Sequence, residues 1–267
     1  MIKLKPSIVF LDLDGTTYDI YQNKTHDISK ENKRAIKELN KKVPVVISTG
    51  RSPEFVLGIQ KELGLKYSVV QNGAMIFDDK EKKVFQDYIP NKNALEILNF
   101  AQNNNSGTKV NDEKIFYGMP RIFNKIISSW GFQSTHKKSK IDPKKTYTKI
   151  IVIGKRKRKT KKLKKQLEEK YKNINIVTSF NGFSIEITGQ KSSKGIANKW
   201  VAEQLKVDYK KGVHFGDSMN DSTTSQYMRL VAMKNASKKL KKMATITTSF
   251  NNKNAGISKA FKECLKI

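Results

Sequence analysis

Two aspartates stand two residues apart in Phe10-Leu11-Asp12-Leu13-Asp14-Gly15-Thr16-Thr17, at the end of an apolar run. Residues 7–11 read as a short buried strand, bounded by Pro6 and too brief for a helix. Residues i and i+2 of an extended chain share a face, so Asp12 and Asp14 can point into one site. The glycine turn that follows puts both at the carboxyl end of a strand, where open α/β sheets bind ligands. Two carboxylates that close repel each other unless a cation or a proton intervenes. The pattern therefore points to a metal such as Mg²⁺, one ionised carboxylate and one able to carry a proton. The competing reading is a solvated turn, since Asp and Gly are both common turn formers.

A second acidic cluster follows far downstream, in Val213-His214-Phe215-Gly216-Asp217-Ser218-Met219-Asn220-Asp221. Asp217 and Asp221 are four apart and share a helix face if a helix starts near Ser218; the alternative is that Asp217 or Ser218 simply caps that helix. Hard oxygen ligands suit Mg²⁺, which takes one or two protein carboxylates and keeps several waters. A third apolar run, Val45-Val46-Ile47-Ser48, ends in Thr49-Gly50-Arg51. Thr49 and the backbone N–H groups around Gly50 can cradle phosphate oxygens. Lys194 opens an apolar-periodic stretch (Ile196, Trp200, Val201, Leu205) and is placed to neutralise both the aspartates and a phosphate. In so lysine-rich a chain its position alone says little, because a lysine is more often solvated surface.

The elements that must position these residues alternate in type, which predicts a doubly wound α/β core. After the first strand come a helix over 29–39 capped by Ser29, a strand over 43–48, a helix over 53–63 with proline near its start, and a strand over 67–71. Near 77–79 the pattern becomes a hairpin, with 83–88 as its return strand. Further on, helix is expected over 93–102 and 159–172, and strand over 148–153, 174–179 and 184–187. The Lys194 helix, the Asp217 loop, a strand over 230–233 and a closing helix over 257–265 complete the chain. No internal repeat is evident.

Taken together, these residues resemble the motifs of the haloacid dehalogenase (HAD) superfamily, and nearly the whole chain is similar to its Cof-type phosphatases with a type-II (IIB) cap. Asp12-Leu13-Asp14-Gly15-Thr16 resembles the first motif, Ser48-Thr49-Gly50-Arg51 the second, Lys194-Gly195 the third and Gly216-Asp217-Ser218-Met219-Asn220-Asp221 the fourth. Gln71-Asn72-Gly73-Ala74 and Asn235-Ala236 resemble further family steps. The resemblance implies a Rossmann-like core over 1–82 and 189–267, with an α+β cap inserted over 83–188. It implies Asp12 as nucleophile, forming an aspartyl-phosphate, and Asp14 as the acid and base on either side of that intermediate. An unperturbed Asp is protonated only about once in a thousand at pH 7, so the site must favour the protonated form of Asp14. Mg²⁺ is implied on Asp12, the backbone carbonyl of Asp14 and Asp217, with Asp221 bound directly, through water or as support. Thr49, Gly50, Lys194 and Asn220 would hold the phosphoryl group, and Arg51 and Asn72 are candidates on the substrate side. Asp14 also favours turnover of the intermediate, since related transport ATPases carry Thr there. Tyr18, Lys234 and the acid-free stretch 248–256 depart from the family pattern without removing a proposed site group.

The charge admits a rival. Fifty-three basic against 24 acidic residues give a net +29, and 155–162 is a dense basic run. Such a chain attracts nucleic acid or another anionic surface. Only six of the basic residues are arginine, the usual base reader, and the run lacks interleaved aromatics, so no specific nucleic acid is expected. No apolar stretch approaches 18 residues, no secretory region opens the chain, and Cys264 is alone; the expectation is a cytoplasmic protein without membrane spans. The reading is a Mg²⁺-dependent phosphomonoesterase of small phosphorylated metabolites: sugar phosphates, nucleotides or cofactor phosphates. A sugar phosphomutase and a basic nucleic-acid-binding protein are the alternatives. Arg121, Lys125, His136 and Tyr117 are candidate contacts in the cap.

Overall fold

Every residue of the first strand, β1 (Val9–Leu11), is apolar and buried, as a parallel strand covered on both faces requires. The computed structural model describes residues 3–22, 25–111, 113–129, 131–139, 141–154, 156–179 and 182–266; Met1, Ile2 and Lys155 of the segments read above lie outside them. After β1 come a small hairpin of β2 (Ile20–Gln22) and β3 (Thr25–Asp27), α1 (Lys30–Asn40) and β4 (Val45–Ser48). Next are α2 (Leu57–Leu63), β5 (Tyr67–Val70) and an antiparallel pair, β6 (Met75–Asp78) and β7 (Lys83–Gln86). The chain continues through α3 (Asn91–Asn103), β8 (Gly107–Val110), β9 (Ile115–Phe116), α4 (Asn124–Ser129), β10 (Gln133–Ser134), β11 (Lys149–Ile153), α5 (Lys157–Lys170), β12 (Ile174–Ser179) and β13 (Ser184–Gly189). It closes with α6 (Lys194–Gln204), β14 (Val213–Gly216), β15 (Arg229–Ala232), α7 (Lys238–Met243), β16 (Ile246–Thr247) and α8 (Gly256–Cys264).

These elements form two compact units, Met1–Gln86 with Ser193–Ile267, and Asp87–Ser192. In the first, an eight-stranded sheet runs in the order β16-β15-β14-β1-β4-β5-β6-β7, parallel through β5 and antiparallel beyond. Alternation along each strand feeds two cores. Val9, Leu11, Val45, Ile47, Val213 and Phe215 pack with α1 and α8 residues such as Ile36, Leu39, Ile257 and Phe261. Ile8, Phe10, Val46 and Val69 face the other way, onto Ala197 and Val201 of α6. The helix α1 begins where Ser29 Oγ accepts the Asn32 N–H at 3.3 Å, the expected cap. The helix read over 53–63 is broken: Pro53–Phe55 is a separate 3₁₀ turn, and Val56, with φ −114°, is turned to bury its branched side chain before α2 starts.

The second unit has its own four-stranded antiparallel sheet, ordered β12-β13-β11-β8. Ile150, Val152, Ile185 and Ile187 of one face pack on Ile97 and Leu98 of α3 and on Leu163 and Leu167 of α5. Opposite them, Ile151 packs with Phe116, Met119 and Ile127. The exposed side of α5 carries the basic run, and Thr160, Leu163 and Leu167 are its buried stripe. No helix among the described residues is long and apolar enough to cross a membrane.

Candidate active site

β1 lies between β14 and β4, parallel to both, with Leu11 level with Phe215 on one side and Ile47 on the other. The residues that follow these strands, Asp12, Asp217 and Thr49, therefore emerge at one edge of the sheet, at the point where the strand order turns back on either side of β1. Asp12 donates its N–H to the Phe215 carbonyl at 3.0 Å, and its own carbonyl accepts from Thr17 Oγ1 at 2.5 Å. Strand geometry ends at Leu11. Residues 13–17 form one wide turn, closed by Tyr18 N–H on the Leu13 carbonyl at 2.9 Å. The i, i+2 argument for Asp12 and Asp14 therefore has no strand to act on, and the two side chains meet different partners, Lys194 and Arg51. Gly15 completes the turn at φ +72°, where a Cβ would stand 2.3 Å from Asp217 Oδ2.

Lys194 is the first residue of α6, which Ser193 caps by accepting the Ile196 N–H at 3.2 Å. Its side chain has no solvent exposure, and Nζ donates to Asp12 Oδ1 and Asp221 Oδ1, each at 2.7 Å. Burial pushes its pKa down, but the two carboxylates outweigh that and hold it above the ordinary lysine value. Asp221 is also fully buried. It accepts from His214 Nε2 at 2.8 Å and, through Oδ2, from the backbone N–H groups of Asp217 and Ser218 at 3.0 Å. Burial opposes its ionisation, yet Lys194 and His214 hold its pKa below the usual carboxylate range. Asp12 goes the other way: burial raises its pKa well above that range, with Asp221 and Asp217 adding to the effect and Lys194 opposing it. Asp217 is pushed up to about 7 by burial and by Asp221. No helix starts at Ser218. The chain turns after Gly216 and forms a 3₁₀ segment over Asp221–Gln226, so Asp217 and Asp221 meet through the turn.

One carboxylate oxygen from each of Asp12, Asp217 and Asp221 lies within 4.8 Å of the others. This donor set fits a hard divalent cation: all the ligands are carboxylate oxygens, three of them are gathered at one point, and a single buried lysine faces them. Asp14 stands apart from this group, its carboxylate gripped by Arg51 through Nε to Oδ2 at 2.7 Å and Nη2 to Oδ1 at 2.6 Å. Thr49 is buried at the end of β4, its hydroxyl accepting from Arg51 N–H at 3.2 Å and its carbonyl from Asn72 N–H at 2.9 Å. Gly50 lies next to it on the same loop. Asn220 Nδ2 donates to Asn72 Oδ1 at 3.0 Å, and Ser218 Oγ donates to Asn220 Oδ1 at 2.5 Å. The structure thus brings Asp12, Lys194, Asp217 and Asp221 into direct contact or near contact, with Asn72 and Asn220 joined beside Thr49. Tyr117, Arg121, Lys125 and His136 lie in the second unit, where Arg121, Lys125 and His136 are exposed.

Sequence reasoning assigned no role to His214, Asn198, Thr17 or Asn235. Asn198 Nδ2 contacts His214 Nδ1 at 3.3 Å; an amide N–H only donates, so Nε2 carries the imidazole proton toward Asp221. Burial lowers the His214 pKa, consistent with a neutral ring. A lone polar residue in the strand Val213–Gly216 was the available signal. Asn235 Nδ2 donates to the Gly15 carbonyl at 2.8 Å and pins the turn that carries Asp14.

The family model for haloacid dehalogenase-like hydrolases matches residues 9–261. The chain belongs to that family. Among the relatives of this haloacid dehalogenase-like hydrolase is Phosphatase YwpJ of Bacillus subtilis, 26% identical over 290 residues that take in 97% of this chain and 99% of that protein. A solved haloacid dehalogenase-like hydrolase from B. subtilis superposes with a TM-score of 0.79 at 25% identity, covering 97% of this chain and 100% of that one. The HAD subclass IIB sugar phosphatase BT4131 superposes with a TM-score of 0.76 at 19% identity, covering 96% and 98%, a likeness of fold.

Proposed function

We propose that the protein is a Mg²⁺-dependent phosphomonoesterase of small phosphorylated metabolites, working through an aspartyl-phosphate on Asp12, with the unit Asp87–Ser192 as the cap that selects the leaving group. The observation that carries this reading is the buried Lys194 bridging Asp12 and Asp221 at 2.7 Å, beside Asp217. The name of the relative YwpJ agrees with it. Asp12, Asp217 and the Asp14 carbonyl would hold Mg²⁺, with Asp221 direct or through water. When bound, the metal supplies charge neutralisation for the phosphoryl group and its attacking carboxylate.

The residues of the chain do the rest. An Asp12 oxygen attacks phosphorus in line; the P–O bond to the leaving group breaks and its oxygen takes a proton from Asp14. Asp14, now ionised, removes a proton from the water that attacks the acyl phosphate, which releases phosphate and restores both carboxyls. Lys194, Thr49 and the N–H groups near Gly50 hold the phosphoryl oxygens, and Asn220 adds a contact. Phosphate release from a panel of phosphate esters with Mg²⁺, comparing wild type with Asp12→Asn, tests the reading. Release by wild type alone supports it. Transfer to another hydroxyl without free phosphate would make the protein a phosphomutase, and release by Asp12→Asn at the wild-type rate would end the proposed mechanism.

A further inference from the structure

Arg51 is engaged in a way that the acid–base step cannot use. Its fork donates one hydrogen bond to each oxygen of Asp14, at 2.7 and 2.6 Å, so the carboxylate is oriented by Arg51 and not by a leaving-group oxygen. The guanidinium carbon lies 4.8 Å from the Tyr18 ring centroid and 5.5 Å from that of Phe55, and the two rings hold it by their faces. Neither partner is sealed in: the Arg51 side chain is 23% exposed and that of Asp14 48%. Lys194 differs, being wholly buried and committed to Asp12 and Asp221. Arg51 is thus a cation at the site that a bound molecule can reach and whose partner it can replace.

We propose that Arg51 is a specificity-determining latch, which holds Asp14 in the empty site and releases it to an anionic group on the leaving portion of the substrate. The favoured substrates are then phosphate esters whose leaving group carries a second anion, a carboxylate or a phosphate. A planar guanidinium exchanges one such anion for another without changing its donor geometry, and the aromatic faces keep it in place during the exchange. A neutral leaving group offers nothing in exchange, so Asp14 must break from Arg51 unaided. This inference rests on the phosphomonoesterase reading.

The test compares 3-phosphoglycerate with glycerol 3-phosphate, which share a three-carbon skeleton and differ by a carboxylate against a hydroxymethyl group. kcat and KM are measured with Mg²⁺ for wild type, Arg51→Lys and Arg51→Ala, the last also with added guanidinium. Wild type should favour 3-phosphoglycerate by roughly tenfold in kcat/KM, the scale of one charge-assisted contact. Arg51→Ala should lose that preference, its kcat/KM falling about tenfold more on 3-phosphoglycerate than on glycerol 3-phosphate, and guanidinium should restore the preference. Arg51→Lys, without the fork, should recover only part of it. A merely structural role lowers both substrates alike; equal falls, or a wild type without the preference, would overturn the latch. Calorimetric binding of the two esters to Asp12→Asn gives the same comparison without turnover, and equal affinities there would also overturn it. No hydrolysis of any ester by wild type would instead remove the phosphatase reading.

Discussion

Replacing Lys194 with methionine keeps most of the side-chain volume and deletes the one buried cation between Asp12 and Asp221. Asp12 is 3% exposed and Asp221 is fully enclosed, so water cannot take over the lost contacts. Removing one partner of a buried charge pair costs about 3–5 kcal/mol, because the remaining charge is left uncompensated. In a unit of this size that corresponds to a fall in melting temperature of about 10 °C. The cost is bounded by protonation: Asp12, already raised in pKa by burial, rises further without Lys194 and takes up a proton. A carboxyl whose folded pKa exceeds its unfolded value binds its proton more tightly in the fold, so the variant recovers stability as the pH falls. Thermal unfolding followed by circular dichroism in EDTA, at pH 7 and pH 5, reads both effects. The loss should shrink at pH 5, and Lys194→Met/Asp12→Asn should be more stable at pH 7 than Lys194→Met alone. A fall under about 2 °C at pH 7, or one equal at both pH values, would refute the charge argument.

Metal removal should give a pH-dependent fold. With Asp217 raised from 3.8 to about 7, that group alone makes the metal-free protein less stable by roughly 3 kcal/mol on going from pH 4 to pH 7; urea unfolding in EDTA should show the decline, and Mg²⁺ or Asp217→Asn should flatten it. Gly15→Ala sets a Cβ against Asp217 in a left-handed turn, and is expected to weaken Mg²⁺ binding by more than tenfold in calorimetry while the fold, read by circular dichroism, persists. Inorganic phosphate should bind the Mg²⁺-loaded protein at least tenfold more tightly than the EDTA-treated one, and equal affinities would count against a shared site.

The legible part of the fold was the part with a period. The buried strand Val45–Ser48 shows as a short apolar run, Ile174–Ser179 by its alternation around the buried Ile174 and Ile176, and α1 by its cap at Ser29 and its apolar stripe through Ile36 and Leu39. The small elements over 107–134 were not read, since β9 and β10 are two residues each and take their form from packing around Phe116 and Met119. In the site, the residue types at the ends of β1, β4 and β14 were legible because each acid or hydroxyl follows an apolar strand. The direction of Asp14 was not. It depends on a turn outside the strand and on Arg51, 37 residues away, and no local pattern encodes that pairing. His214 was hidden for a similar reason: its role exists only once α6 brings Asn198 to one ring nitrogen and the Asp221 turn comes to the other.

A charge count explains why these residues are held as they are. Asp12, Asp217 and Asp221 together bring three negative charges to one point, Lys194 returns one, and His214 stays neutral because burial lowers its pKa. The cluster when ionised is therefore short of two positive charges, the charge of one divalent cation. Arg51 does not make up the difference, for its guanidinium is paired with Asp14 instead. Nor does the net +29 of the chain, since surface lysines are screened by water and salt at distances beyond roughly 10 Å. The protein leaves the deficit inside and holds the carboxylates in place around it, with His214 and two backbone N–H groups fixing Asp221 and Gly15 fitted against Asp217. A site meant only to be stable would relieve such crowding with a neutral side chain. Three carboxylates gathered around one buried lysine are instead a donor set whose deficit one divalent cation fits.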